Sequence, residues 1–335
     1  AAMHTVAGHY DDALRLYEQV RDETFDIRGW RGIASVLRKR GQYVRALEVL
    51  DEAFAAVPRS DPEMASLWLE RGWTFSLAGR LTEAIEALQA GIEVASDPTE
   101  PIVGELLAQL ARAKTLQEAF DEAVQHGLAS QEIFEARHDI RGLVLAMRTT
   151  GNAYAAMGRF DDAASAFRRA LELAEQTATV EELAGNLLNL ATVEMERGNL
   201  DEAIELDRRG VALFESLDHG SGQAVGYQNL ADKLTRADNL EEAEGYCRRG
   251  LEIARKSGNQ LVVAEILDTL LRIRAAQGRI TDAIRCATDA SEIFSQMGMT
   301  RRAAEVLAEA VRAREGDPGA ERARTSAARA RSEDG

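Results

Sequence analysis

The sequence predicts an all-α fold, a solenoid of antiparallel helix pairs, on three observations. Only five prolines occur, and none lies between residues 102 and 317, a length without a helix breaker that suits helix throughout. Aromatic residues make up 5% of the chain while the apolar fraction is 45%, so alanine and leucine carry the hydrophobic content, which favours helix over sheet. The third observation is an internal repeat. Alanines in the pattern Gly-x-apolar-acid-acid-Ala recur as Ala13, Ala46, Ala84, Ala123, Ala163, Ala203, Ala243 and Ala283, at steps of 33, 38, 39 and then 40 residues.

Each column around these anchors has a mechanical meaning. Five residues before the anchor stand Gly8, Gly41, Gly79, Glu118, Gly158, Gly198, Asp238 and Gly278. A glycine there ends a first helix, A, because a tight turn needs a positive φ without a Cβ penalty. Helix B follows, and Thr82, Asp161, Asp201 and Thr281 are expected to cap it, since free N–H groups and the dipole favour an acceptor. Three before the anchor the residue is always large and apolar, from Tyr10 and Tyr43 to Leu240 and Ile280, and plugs the gap between A and B. Seven after it the residue is small in all but the first copy, and twelve before it in seven of eight, which lets helices cross closely. Such a pair cannot bury its apolar face alone, so neighbours must stack.

These registered columns resemble the tetratricopeptide repeat (TPR) family over roughly residues 1–314. The fullest copies run Trp30…Ala34…Leu37…Gly41-x-Tyr43…Ala46…Ala53…Pro58 and Met147…Gly151…Tyr154…Gly158-x-Phe160…Ala163…Phe167…Ala170. The resemblance implies a right-handed superhelical solenoid. Two departures stand out. The slot nine before the anchor becomes Lys114, Glu194 and Arg274, so those helix A faces are expected to pack less regularly. The period is 40 rather than the family's roughly 34 residues; the extra residues, in stretches such as 177–182 and 218–223, are expected to lengthen both helices by about 9 Å in total. Long repeats of this type resemble bacterial regulatory TPR proteins, kinesin light chain and Pins-type adaptors.

The predicted organisation is a partial first repeat over 1–26, seven units over 27–299 on the anchors Ala46, Ala84, Ala123, Ala163, Ala203, Ala243 and Ala283, a capping helix over 300–315 and a disordered tail over 316–335. The capping helix should bury Ala303, Val306, Leu307 and Ala310. The chain opens on Ala1 rather than Met and inside a first helix A, leaving Leu14 and Tyr17 short of cover. That suggests a processed or cut chain, with an upstream domain or a second copy of the chain over this end.

Composition excludes some functions. Asp plus Glu is 56 against 40 Lys plus Arg, a formal charge of −16, which argues against nucleic acid and anionic membrane surfaces as partners. No apolar run approaches the ~18 residues of a membrane span. Cys247 and Cys286 are too few for a disulfide framework and read as reduced buried thiols of a cytoplasmic protein, Cys247 in the core column shared with Tyr17, Leu50, Leu88 and Phe167. Trp30 and Trp68 fall in another core column. No P-loop, nucleophile elbow or His-Glu-x-x-His occurs, and the five histidines have no metal-ligand spacing, so no cofactor or metal is expected and the chain is read as non-enzymatic. Gly220-x-Gly222-x-x-x-Gly226 lacks the strand of a dinucleotide fold and reads as a flexible turn between repeats.

The resemblance also implies a binding surface. In TPR arrays helix A lines a concave groove, mainly through residues fifteen, fourteen, eleven and eight before the anchor. Here those positions place Arg31, Ser35, Arg38, Trp73, Arg148, Asn152, Asn189, Gln228, Asn229, Asp232 and Arg272 on a peptide- or partner-binding face. Asn189 and Asn229 are equivalent sites one repeat apart, and an amide can both donate to and accept from an extended backbone. Trp73 is expected to be an exposed anchor. Arg28, Arg31, Arg38 and Lys39 predict a basic N-terminal start that takes the acidic end of a ligand. The expected function is a non-catalytic module holding a protein or peptide segment. The alternatives are a ligand-responsive regulatory sensor, or the recognition arm of a larger regulator or enzyme.

Overall fold

A computed structural model of the chain describes residues 10–24, 26–177, 180–217 and 219–315. The described residues form sixteen helices and no strand. They fall into two units, Ala1–Ala178 and Thr179–Gly335. The first holds α1 (Tyr10–Thr24), α2 (Ile27–Lys39), α3 (Tyr43–Ala56), α4 (Met64–Leu77), α5 (Leu81–Val94), α6 (Pro101–Leu116), α7 (Phe120–Ala136), α8 (Ile140–Ala156) and α9 (Phe160–Thr177). The second holds α10 (Val180–Glu196), α11 (Leu200–Ser216), α12 (Gly220–Arg236), α13 (Leu240–Ser257), α14 (Gln260–Ala276), α15 (Ile280–Gln296) and α16 (Thr300–Glu315). Residues 1–9 of the expected first repeat and the expected tail over 316–335 lie outside the described residues.

Even-numbered helices are A and odd-numbered ones B. The 40-residue period is visible as helix length: α2 to α5 have 13 or 14 residues, whereas α7 to α15 have 17 or 18. Within each unit every helix packs on its chain neighbours, and each A helix also touches the next A helix, while B helices make no comparable contact with one another. The A layer is therefore the tighter, inner layer of each unit.

The A-to-B turn follows the glycine column. Gly41, Gly79, Gly158, Gly198 and Gly278 have φ between 72° and 87°, and their non-glycine counterparts are also positive, Glu118 at 64° and Asp238 at 58°. After this left-handed residue the chain turns back, and the next N–H bonds the carbonyl five residues earlier, as in Gln42 N to Leu37 O and Arg159 N to Tyr154 O, both 2.9 Å. That closure leaves no room for the expected caps. Thr82, Asp161, Asp201 and Thr281 lie inside the first turn of helix B, and the N-cap residues Gln42, Arg80, Ala119, Asn199, Asn239 and Arg279 make no side-chain capping bond. The carboxylates act there through the helix dipole. Side-chain caps stand instead at starts of helix A: Asp26 accepts from Arg28 N at 2.9 Å, Asp139 from Gly142 N at 3.0 Å, His219 Nδ1 from Gly222 N at 2.9 Å and Asn259 from Val262 N at 3.3 Å.

The core columns fill as expected. Trp30, Leu50, Leu88, Phe167 and Cys247 are buried, and Trp68 packs on Phe54 with ring centroids 4.4 Å apart. Burial pushes the Cys247 thiol up to about 12, so it stays protonated and inert. The glycines 220, 222 and 226 are not a flexible turn. They open α12, and a Cβ on Gly222 would stand 2.3 Å from the Phe214 ring, while one on Gly226 would meet Val211 at 2.8 Å. Gly222 and Gly226 are close-packing positions. In α16 Ala303, Val306 and Ala310 are buried as expected, but Leu307 is exposed, because the helix has no partner on that side among the described residues.

Polar residues in apolar columns find local partners, so helix A stays regular. Lys114 reaches Glu122 at 2.7 Å, and Arg274 donates to the Cys286 sulfur at 3.0 Å. Glu194 is fully buried, where Arg197 donates to it at 2.8 Å and Asn199 at 2.6 Å. The C-terminal core also contains an ion pair: Lys233 Nζ on α12 lies 2.8 Å from Asp207 Oδ2 on α11, with both side chains at most 2% exposed. Burial outweighs the attraction of Lys233 and pushes Asp207 up to about 6. No helix among the described residues is long and apolar enough to cross a membrane.

Candidate functional site

The predicted site residues stand on the A layer, but the structure divides them into a used set and a spare set. In the N-terminal unit Arg31 on α2 donates to Glu63 at 3.1 Å. Arg38, in the last turn of α2, is 5% exposed. It donates to Glu70 on α4 at 3.2 Å and to the Ser35 hydroxyl at 3.3 Å. Its guanidinium lies 3.6 Å from the centroid of the Trp73 ring. Trp73 is therefore half-buried under an arginine, and its indole Nε1 is buried without an acceptor among the described residues. The exposed aromatic anchor is not formed, because the cation–π stack and the Glu70 pair turn Arg38, Ser35 and Trp73 into joints between successive A helices.

The predicted basic start is neutralised by the same pairing. Arg28 is held by Asp26, which its guanidinium keeps well below the usual carboxylate range. Lys39 remains exposed. Two more arginines stand further along the layer. Arg148 on α8 is half-buried, and Arg112 on α6, also half-buried, faces it across adjoining A helices. Burial, together with the charges of Arg148 and Arg38, lowers the Arg112 pKa from its ordinary value. Arg112 was missed in the sequence, although it stands eleven before its anchor Ala123, in the column of Ser35, Trp73 and Asn152.

In the C-terminal unit Arg272 on α14 donates to Asp232 on α12 at 2.5 Å and to Thr269 at 3.2 Å, and Arg236 also reaches Asp232 at 3.3 Å. Asp268 takes Arg302 of α16 at 3.2 Å. Asp232 and Arg272 thus bind each other, one repeat apart. The amides are the spare set. Asn152 is exposed, and Asn189, Gln228 and Asn229 are half-buried; none of the four side chains makes a hydrogen bond within the described residues. No group of three metal-ligating side chains occurs among the described residues.

Paired helices with a left-handed closing residue and a layer of touching A helices define a tetratricopeptide array, and the tetratricopeptide repeat family matches residues 6–61 and 31–101. The family described as the MalT-like TPR region matches residues 129–333, and the chain belongs to it. No match is found among curated proteins. Several solved structures share the fold. A Rap protein complexed with competence and sporulation factor has a TM-score of 0.64 at 14% identity, covering 94% of this chain and 95% of that one. Cut9, in the APC/C hetero-tetramer Cut9–Hcn1, has 0.67 at 15% identity, covering 91% and 53%. The signal-transduction ATPase PH0952 of Pyrococcus horikoshii, a STAND protein with a tetratricopeptide repeat sensor, has 0.59 at 18% identity, covering 85% and 43%.

Proposed function

We propose that the A layers of this protein are non-catalytic docking faces for a peptide or an extended partner segment, in the cytoplasm. One observation carries the reading: Asn152, Asn189, Gln228 and Asn229 hold amides on the inner layer that no described residue uses. An amide left free to donate and accept suits a polypeptide backbone, which offers both groups at every residue. That the Rap protein is complexed with competence and sporulation factor and that Cut9 forms a hetero-tetramer with Hcn1 supports the reading by analogy. The test is a peptide-display selection on the whole chain, followed by affinity measurements on Asn152→Ala, Asn189→Ala and Asn229→Ala. A selected peptide should lose about tenfold in affinity on at least one variant, the worth of one or two hydrogen bonds. Selected peptides that bind all three variants as tightly as the parent protein overturn it.

A regulatory sensor is the second reading, favoured by the tetratricopeptide sensor of PH0952 and by the complexed Rap protein. It adds a requirement that simple docking lacks: the selected ligand must change the radius of gyration measured by small-angle scattering.

A further inference from the structure

We propose that the N-terminal unit carries an anion subsite centred on Arg112, flanked by Arg148 and Arg38, which takes an acidic side chain of a bound peptide. The argument is one of unmatched charge. Four other arginines of the A layers meet a carboxylate on, or at the cap of, a neighbouring A helix: Arg31 with Glu63, Arg38 with Glu70, Arg272 with Asp232, and Arg302 with Asp268. Arg112 has no such partner among the described residues. Of the groups whose charge bears on it, two are arginines, Arg148 and Arg38, and the third is the Tyr43 phenol; no carboxylate is among them.

The surroundings reinforce this. The positions on the neighbouring A helices that match Arg112 in the repeat are Trp73 on α4 and Asn152 on α8, neither of which can neutralise it. Burial disfavours the Arg112 charge, and its two like neighbours disfavour it further. A half-buried guanidinium in that setting gains most from an anion supplied from outside, because guanidinium binds carboxylate and phosphate bidentately. Asn152, on the same layer with its amide unused, can hold the peptide backbone beside the anion. The overall charge of −16 makes the unmatched charge of Arg112 the more selective, since the rest of the surface repels an acidic ligand.

The inference rests on the docking reading above, and the experiment separates the two. Fluorescein-labelled tetraglutamate, tetraglutamine and a phosphoserine tetrapeptide are titrated against the whole chain by anisotropy at low salt. Tetraglutamate should bind at least about tenfold more tightly than tetraglutamine. Arg112→Gln should remove about tenfold of that affinity, Arg112→Lys less, and Arg285→Gln, an exposed site on α15, nothing. A phosphoserine peptide tighter than tetraglutamate assigns the subsite to phosphate, and the reverse order to carboxylate; either order upholds it if Arg112→Gln abolishes the preference. Equal binding of tetraglutamate and tetraglutamine overturns the subsite while leaving peptide docking intact. Binding of none of the three peptides overturns the subsite, while the display selection still decides on docking. Circular dichroism of Arg112→Gln matching the parent protein excludes misfolding as the cause of a loss.

Discussion

Asp207 and Lys233 show what one residue can do to a core column. Asp207 occupies the slot of Leu50, Leu88, Phe167 and Cys247, and is fully buried. Between about pH 4 and 6 the folded chain holds on Asp207 a proton that the unfolded chain has released, so this carboxyl favours folding toward the acid end of that window. Lys233 opposes that shift. Lys233→Met should therefore destabilise the protein by about 3 kcal/mol at pH 7, because it leaves a buried carboxylate without a counter-charge. Without Lys233 the Asp207 carboxyl takes up its proton at a higher pH than in the parent, so the loss should shrink as pH falls from the alkaline side toward about 6, and chemical denaturation across that range measures both. Lys233→Met combined with Asp207→Leu restores the apolar columns and should recover the parent stability at pH 7. A loss in Lys233→Met that does not depend on pH contradicts the account. The two charges are visible in the sequence as exceptions in separate columns. Their pairing is not, because only the packing of α12 on α11 brings together residues 26 apart. Arg112 is similar: its column could be read, but the lack of an acid opposite it is a property of the neighbouring helices.

At the scale of the element, the left-handed closing turn is the most readable feature. The glycine column marks every A-to-B turn in the described residues, and the structure keeps the same conformation where the glycine is absent. Glu118 and Asp238 hold a positive φ at a cost of about 1 kcal/mol each, with exposed side chains. Glu118→Gly and Asp238→Gly should each stabilise the chain by about 0.5–1 kcal/mol, read as a higher thermal midpoint; Gly158→Ala should do the opposite. Helix length was legible too, since the 40-residue period appears as added turns. The helix caps were not. The sequence puts acceptors near the starts of helix B, but the backbone closure of the turn absorbs the position they would need. The capping bonds sit at helix A, where His219 serves in a role that a search for Ser, Thr, Asp or Asn passes over. Gly222 was misread for a related reason: a helical glycine required by the neighbouring Phe214 ring looks, in sequence, like a turn.

For the whole molecule, the contacts within each unit run between chain neighbours and successive A helices. Such arrays unfold as sums of local stabilities and not in one step. The three tryptophans, Trp30, Trp68 and Trp73, all lie in the N-terminal unit, while helices in both units contribute to circular dichroism. Tryptophan fluorescence and far-ultraviolet circular dichroism should thus give different denaturation midpoints. Coincident curves would show that the units unfold together.

The arginine–carboxylate rungs between successive A helices also limit how this gene can change. Asp232 and Arg272 occupy the same position in adjacent copies, and Thr192 is the equivalent residue one copy earlier. Deletion of the copy that carries Asp232 by unequal crossing-over, in perfect frame and period, would set Arg272 beside Thr192 and strand its charge. The copies are alike in shape but not exchangeable, so repeat number in this lineage should drift by gain or loss at the ends and not by excision from the middle.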